Sequence, residues 1–151
     1  MLNFNITIDR QRWLRGNQRN QKRIINMRKI SARMMADNIV AIAQREVPKD
    51  TWALHNSIRR IETRDGARVI ADLKDSKGRS IAYFVEYGTG IYAKNGRGRK
   101  TPWVYMHRAY GKVLTVGREA TPFMTTAVDE ARLKSKKILR GAWRNSGLSN
   151  R

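Results

Sequence analysis

Residues Ile81-Ala82-Tyr83-Phe84-Val85-Glu86-Tyr87-Gly88-Thr89-Gly90 are the most apolar and aromatic stretch of a very basic chain. A run of this kind demands cover, from the fold or from a partner, and the remaining elements have to supply it. The acid within it, Glu86, needs hydrogen-bond donors, because an unpaired buried carboxylate is costly. Glu86 is therefore expected to be structural, paired with an arginine or accepting from backbone donors near Gly88 and Thr89. The apolar pattern of 81–87 suits a short helix and a buried strand equally, since periodicity does not separate the two over so few residues. Gly88-Thr89-Gly90 breaks the run and is expected to release the chain outward.

The flanking chain supplies candidate layers. Residues 2–8 alternate apolar and polar, which predicts a strand with Leu2, Phe4, Ile6 and Ile8 on one face. A helical pattern runs from about Asn17 to Glu46, its stripe built from Ile24, Met27, Ile30 or Ser31, Met34, Asn38 and Ala41 or Ile42 and widened by Ile25, Ala32, Ala36, Ile39 and Ala43. Val47-Pro48 ends it, because proline disfavours helical geometry in the residue before it. Asp50 or Thr51 is expected to cap one helical turn, with Leu54 pointing inward. Ser57–Thr63 and Ala67–Leu73 read as strands around an Asp65-Gly66 turn, whose central positions tolerate positive φ. Trp103-Val104-Tyr105 and Val113–Val116 read as two more strands around Gly111. Thr121 and Pro122 suit the cap and first position of a last helix with Met124, Ala127, Val128, Ala131, Ser135, Ile138 and Ala142 inside. Residues 145–151 are expected to be a flexible tail. The sequence thus predicts one domain, 1–151, of the α+β class: a small antiparallel sheet packed against a long N-terminal helix and a long C-terminal helix.

Charge says more about partners than about fold. There are 32 Lys and Arg against 12 Asp and Glu, a net +20, so nucleic acid, an anionic membrane or an acidic protein surface is the expected counterpart. The glycine- and arginine-rich loop of about 91–104 carries Lys94, Arg97, Arg99 and Lys100 between Tyr92 and Trp103. Interleaved bases and aromatics of this kind suit a phosphate backbone or an acidic neighbour. No cysteine is present, which excludes disulfides and thiolate metal sites. No apolar run reaches the roughly 18 residues of a membrane span, and Met1–Arg10 lacks the order of a signal peptide. The expected site of synthesis is a reducing, intracellular one. His55 and His107 stand at no metal-ligand spacing. Gly96-Arg97-Gly98-Arg99-Lys100-Thr101 fails as a phosphate loop, with Arg99 where a glycine is required. No pair of carboxylates suggests acid–base chemistry. Neither an enzyme nor a cofactor is expected.

Three segments, taken together and in order, resemble a known family. Pro48-Lys49-Asp50-Thr51-Trp52-Ala53-Leu54-His55-Asn56-Ser57-Ile58 is similar to its P-x-D-T-G-x-L-x-x-S-I signature, with Trp52 in place of glycine. Tyr83 to Thr89, with Val85, Glu86, Tyr87 and Gly88, is similar to its V-E-[FY]-G-T core. Gly117 to Met124, with Ala120, Pro122 and Phe123, is similar to the G-x-x-A-x-P-F-[ML] pattern that opens its final helix. The family is the head–tail joining, tail completion or neck proteins of long-tailed bacteriophages. The resemblance implies a small α+β subunit of a ring, usually hexameric, set in the virion between the head-completion or connector protein and the tail tube or tail terminator. DNA passes through its lumen, no membrane is involved, and the chain is made in the host bacterial cytoplasm. The alternative on charge alone is a free-standing nucleic-acid-binding protein.

Overall fold

The computed structural model describes residues 10–50, 52–107 and 110–145. The expected strand at 2–8, Thr51 and all of the expected tail after Asn145 lie outside the described residues.

The longest element, helix α1, spans Arg10–Glu46 and starts well ahead of the expected Asn17. Its C-terminal half is the part that packs: Ala36, Ile42 and Ala43 are buried. Its N-terminal stretch is exposed, including Ile24 and Ile25, each 56% accessible; the apolar stripe continues beyond the body that should cover it. The helix stops where expected. The Val47 amide makes a last helical bond to the Ala43 carbonyl at 2.9 Å, and Pro48 has no N–H with which to continue.

A short helix, α2 (Ala53–Ser57), leads into a hairpin of β1 (Ile58–Thr63) and β2 (Gly66–Ala71). The register pairs Ile58 with Ala71 and Thr63 with Gly66, so Arg64 and Asp65 form the turn. The expected Asp65-Gly66 turn is thus shifted by one residue, and β2 stops before Leu73. Gly66 is needed for a different reason. A Cβ there would lie 2.8 Å from the Cβ of Ala32, so the missing side chain lets the hairpin lie directly on α1.

Residues 81–87 are a helix, α3 (Ile81–Tyr87). The Ser80 hydroxyl accepts from the Tyr83 amide at 3.3 Å, and Gly88, at φ +75°, ends the helix. Helical pitch separates the faces: Val85 and Glu86 are buried, while Tyr83 and Tyr87 are 49% and 43% exposed. A 3-10 turn, Gly90–Tyr92, and the basic loop follow. Strands β3 (Trp103–His107) and β4 (Gly111–Thr115) then form a second two-stranded antiparallel sheet. The strands divide into two hairpins where one sheet was expected, because α3 and the loop intervene and neither β3 nor β4 pairs with β1 or β2.

Helix α4 (Phe123–Asn145) runs antiparallel along α1. At one end Arg45 Nη2 lies 2.6 Å from Glu130 Oε1; at the other, Gly141 faces Met34. Ala127, Ala131 and Ala142, none more than 1% exposed, give α4 a smooth face on which α1 can approach closely. Of the expected inner stripe, Ala127, Ala131, Ile138 and Ala142 are buried, and Met124, Val128 and Ser135 line its edges. Phe123, 1% exposed, joins Ile42, Ala43, Val47, Leu54, Ile58 and Val85 in the central core. The fold is α+β, with a long N-terminal helix, a long C-terminal helix and two small hairpins. Hydrogen bonding from Arg45, reinforced by Lys134, holds the Glu130 carboxyl below its ordinary value. That contribution is present above the ordinary carboxylate pKa and fades as pH falls through the depressed one. The pair is solvent-exposed, so it sets helix register more than it stabilises.

Candidate functional site

The three motifs, spread from Pro48 to Met124, meet in space, and Glu86 is the joint. It is 6% exposed. One carboxylate oxygen accepts the Met124 amide at 2.8 Å; the other accepts the Thr125 amide at 3.0 Å and the Thr125 hydroxyl. These amides belong to the first turn of α4, whose N–H groups have no partner within the helix. A negative group there is also favoured by the helix dipole. Glu86 is therefore structural, as expected, but its donors are Met124 and Thr125 rather than Gly88, Thr89 or an arginine. The Thr121 amide, in turn, donates to the Val85 carbonyl at 2.8 Å, which ties the chain before Pro122 to α3. Phe123, one residue past Pro122, is the first helical residue.

Next to this joint three backbone segments cross with glycine at each contact. The Thr89 amide donates to the Arg118 carbonyl at 2.9 Å, and Ile91 to Val116 at 3.1 Å. The Arg118 amide donates to the Thr89 hydroxyl at 3.0 Å. A Cβ on Gly90 would lie 1.9 Å from the Val116 carbonyl oxygen, and one on Gly117 would lie 2.1 Å from that of Thr89. One on Gly98 would lie 1.8 Å from that of Gly90. Gly88 is packed beside the Ala120 amide. Gly88-Thr89-Gly90 is thus a locked crossing, not the outward release expected of it. The basic loop is pinned as well: the Lys94 amide donates to the Tyr87 carbonyl at 3.0 Å, and Asn95 reaches the Tyr83 hydroxyl at 3.4 Å. The Arg99 guanidinium sits 5.7 Å from the Trp103 ring. Lys94, Arg97, Arg99 and Lys100 are all exposed.

The first motif joins through Asp50, whose carboxylate lies 3.4 Å from Arg118. The cap residue of α2 is not Asp50 but Trp52, at φ 58° in the left-handed region and without a side-chain cap bond. Trp52 stands where the resembled pattern has glycine, and its backbone holds the conformation glycine adopts freely. Its ring is edge-on to His55 and lies under Lys49. Leu54 and Ile58 are buried in the core, and the Ser57 hydroxyl donates to the Leu54 carbonyl at 2.7 Å. A bulky residue in the left-handed region costs about 1–3 kcal/mol. Trp52→Gly is therefore expected to raise stability by about 1 kcal/mol after glycine's entropy and the lost ring contacts. Denaturant unfolding checks this, and a fall in midpoint contradicts it.

Two open surfaces lie outside this joint. A groove of about 530 Å³ runs between α3 and α4, lined by Ala82, Tyr83, Tyr87, Met124, Val128 and Arg132 among others. The β3–β4 hairpin presents Val104, Met106, Leu114 and Val116 on one face, exposed by 57%, 70%, 71% and 38%. Alternation of apolar residues along 104–106 and 114–116 was the available signal for that face, but a sequence does not say that nothing folds over it. Arg118 had no signal at all. Among the described residues no group of three or more His, Asp or Glu is placed to hold a metal. His55 contacts Asn56, and His107 stacks on Tyr110. No described helix is long and apolar enough to cross a membrane. Comparison with protein-family models, with curated proteins and with solved structures finds no match.

Proposed function

We propose that the chain is a structural, non-enzymatic subunit of a phage neck. Copies of it form a ring, six-membered by the resemblance, that joins the head or connector to the tail tube or terminator and lets DNA pass. The observation that carries this reading is the convergence of the three motifs. Asp50 meets Arg118, Thr89 meets Arg118, and Glu86 holds the first turn of α4. The positive φ at Trp52, the glycine position of the first motif, supports it further. Residues shared for family reasons are expected to build one another's environment, and these do.

A closed ring needs two unlike, complementary patches on each subunit. The apolar hairpin face and the α3–α4 groove are two such patches, and an isolated two-stranded hairpin is marginal in water without cover. Met106→Asp with Leu114→Asp is therefore expected to leave a folded monomer where the parent chain assembles. Light scattering checks the mass and circular dichroism the fold; an oligomer of unchanged mass contradicts this use of the hairpin. The function itself is tested by depletion. Infection without the chain is expected to accumulate DNA-filled heads and finished tails that do not join. Normal joined particles would refute the proposal.

A further inference from the structure

The basic loop was the expected site for a polyanion, and helix α1 carries a second run of bases. Between residues 10 and 36 the sequence holds no acid. Along α1, Arg12, Arg15, Arg19, Lys22 and Arg23 fall within an arc of about 100° at helical pitch. All five are exposed. The arc is centred about 120° round the helix from the side that carries Ala32, Ala36, Ile39 and Ala43 toward the core, and it lies on a stretch of α1 that the body leaves exposed. The acids of the β1–β2 hairpin reach only the base of this arm: Asp65 lies 3.4 Å from Arg28, and Glu62 lies 2.8 Å from Arg33. Among the described residues no carboxylate is within 4.0 Å of Arg15, Arg19, Lys22 or Arg23. Helix α4 adds bases at the same end. The pairing of Arg45 with Glu130 and of Met34 with Gly141 places Arg140 and Arg144 beside the root of the arm.

We infer that this stripe is a binding surface for the phosphate backbone of duplex nucleic acid. Arg15, Arg19 and Arg23 are four residues apart, and like charges at that spacing repel one another along a helix. A line of anions beside them removes the repulsion. The stripe spans about 17 Å, enough to follow a few successive phosphates of one strand. A duplex offers one charge per roughly 1.7 Å of axis and a steeper counterion-release term than a single strand, which makes it the favoured partner. Binding is then sequence-independent and driven by counterion release. The inference does not rest on the neck reading; it concerns the chain by itself.

The test compares the full-length chain with two variants of equal charge change, binding a random-sequence 30-base-pair DNA over a range of salt. In the first, Arg15, Arg19, Lys22 and Arg23 become Gln, which keeps helix propensity. In the second, Lys94, Arg97, Arg99 and Lys100 become Gln. The first is expected to lose affinity by more than about 100-fold in 0.1 M salt and to flatten the log–log salt slope by about three. The second should lose less than tenfold, and both should keep the parent's circular dichroism. A single strand of the same length should bind more weakly than the duplex. Equal losses in the two variants, or an unchanged first variant, would overturn the inference. So would a chain that ignores duplex DNA and binds vesicles of anionic lipid through Leu14, Ile24 and Ile25.

Discussion

Gly90→Ala is expected to yield no folded protein. The added methyl would stand 1.9 Å from the Val116 carbonyl oxygen and 2.7 Å from the Gly117 Cα, with both neighbours being backbone. Neither can yield without breaking the Ile91–Val116 and Thr89–Arg118 hydrogen bonds that close the crossing. The residue also sits at φ +62°, which adds a conformational cost of about 1–2 kcal/mol for any side chain. Gly96→Ala separates the two effects. It shares a positive φ of +69° but meets nothing within 4 Å, so it should cost only about 1 kcal/mol. Soluble yield and thermal unfolding of the two variants check this. A Gly90→Ala protein as stable as Gly96→Ala would mean that the crossing is looser than described.

Glu86→Ala should destabilise the chain by about 3 kcal/mol or more, since it removes an acceptor of three hydrogen bonds and leaves two amides unsatisfied in a buried setting. Glu86→Gln keeps the volume and one acceptor oxygen, and should fall between alanine and the parent. The loss should appear in urea unfolding and, by hydrogen exchange, first at the Met124 and Thr125 amides. A change below 0.5 kcal/mol, with those amides still protected, would remove Glu86 from its place as the joint between α3 and α4.

How much of this was legible depends on whether the cause is local. The Val47-Pro48 stop, the α4 stripe and the structural nature of Glu86 follow from neighbours in sequence and from the cost of burying charge, and these could be read. The partner of Glu86 could not, because the amides it caps lie 38 and 39 residues away. The helix at 81–87 depended on Ser80 as its cap, a short-range signal that was present but overshadowed by the apolar run. Gly66 was noticed as a turn glycine, yet its use is a close approach to Ala32, which only tertiary packing reveals. The α1 stripe was visible, whereas its extension past the body was not: periodicity marks an apolar face without saying what covers it. The same limit applied to Val104, Met106 and Leu114. Arg19, Lys22 and Arg23 already lay inside the helix expected from Asn17, whereas Arg12 and Arg15 join them only because the helix begins at Arg10.

We propose that the joint, the two open faces and the basic arm belong to a subunit that sits among copies of itself beside DNA. A density map of the head–tail junction in particles of a phage that carries this chain tests that proposal most directly. The account predicts a ring at that junction whose repeating unit fits the antiparallel α1–α4 pair and both hairpins, with the Val104–Leu114 face covered by a neighbouring copy. A junction completed by other chains, with this one absent from the particle, would contradict it.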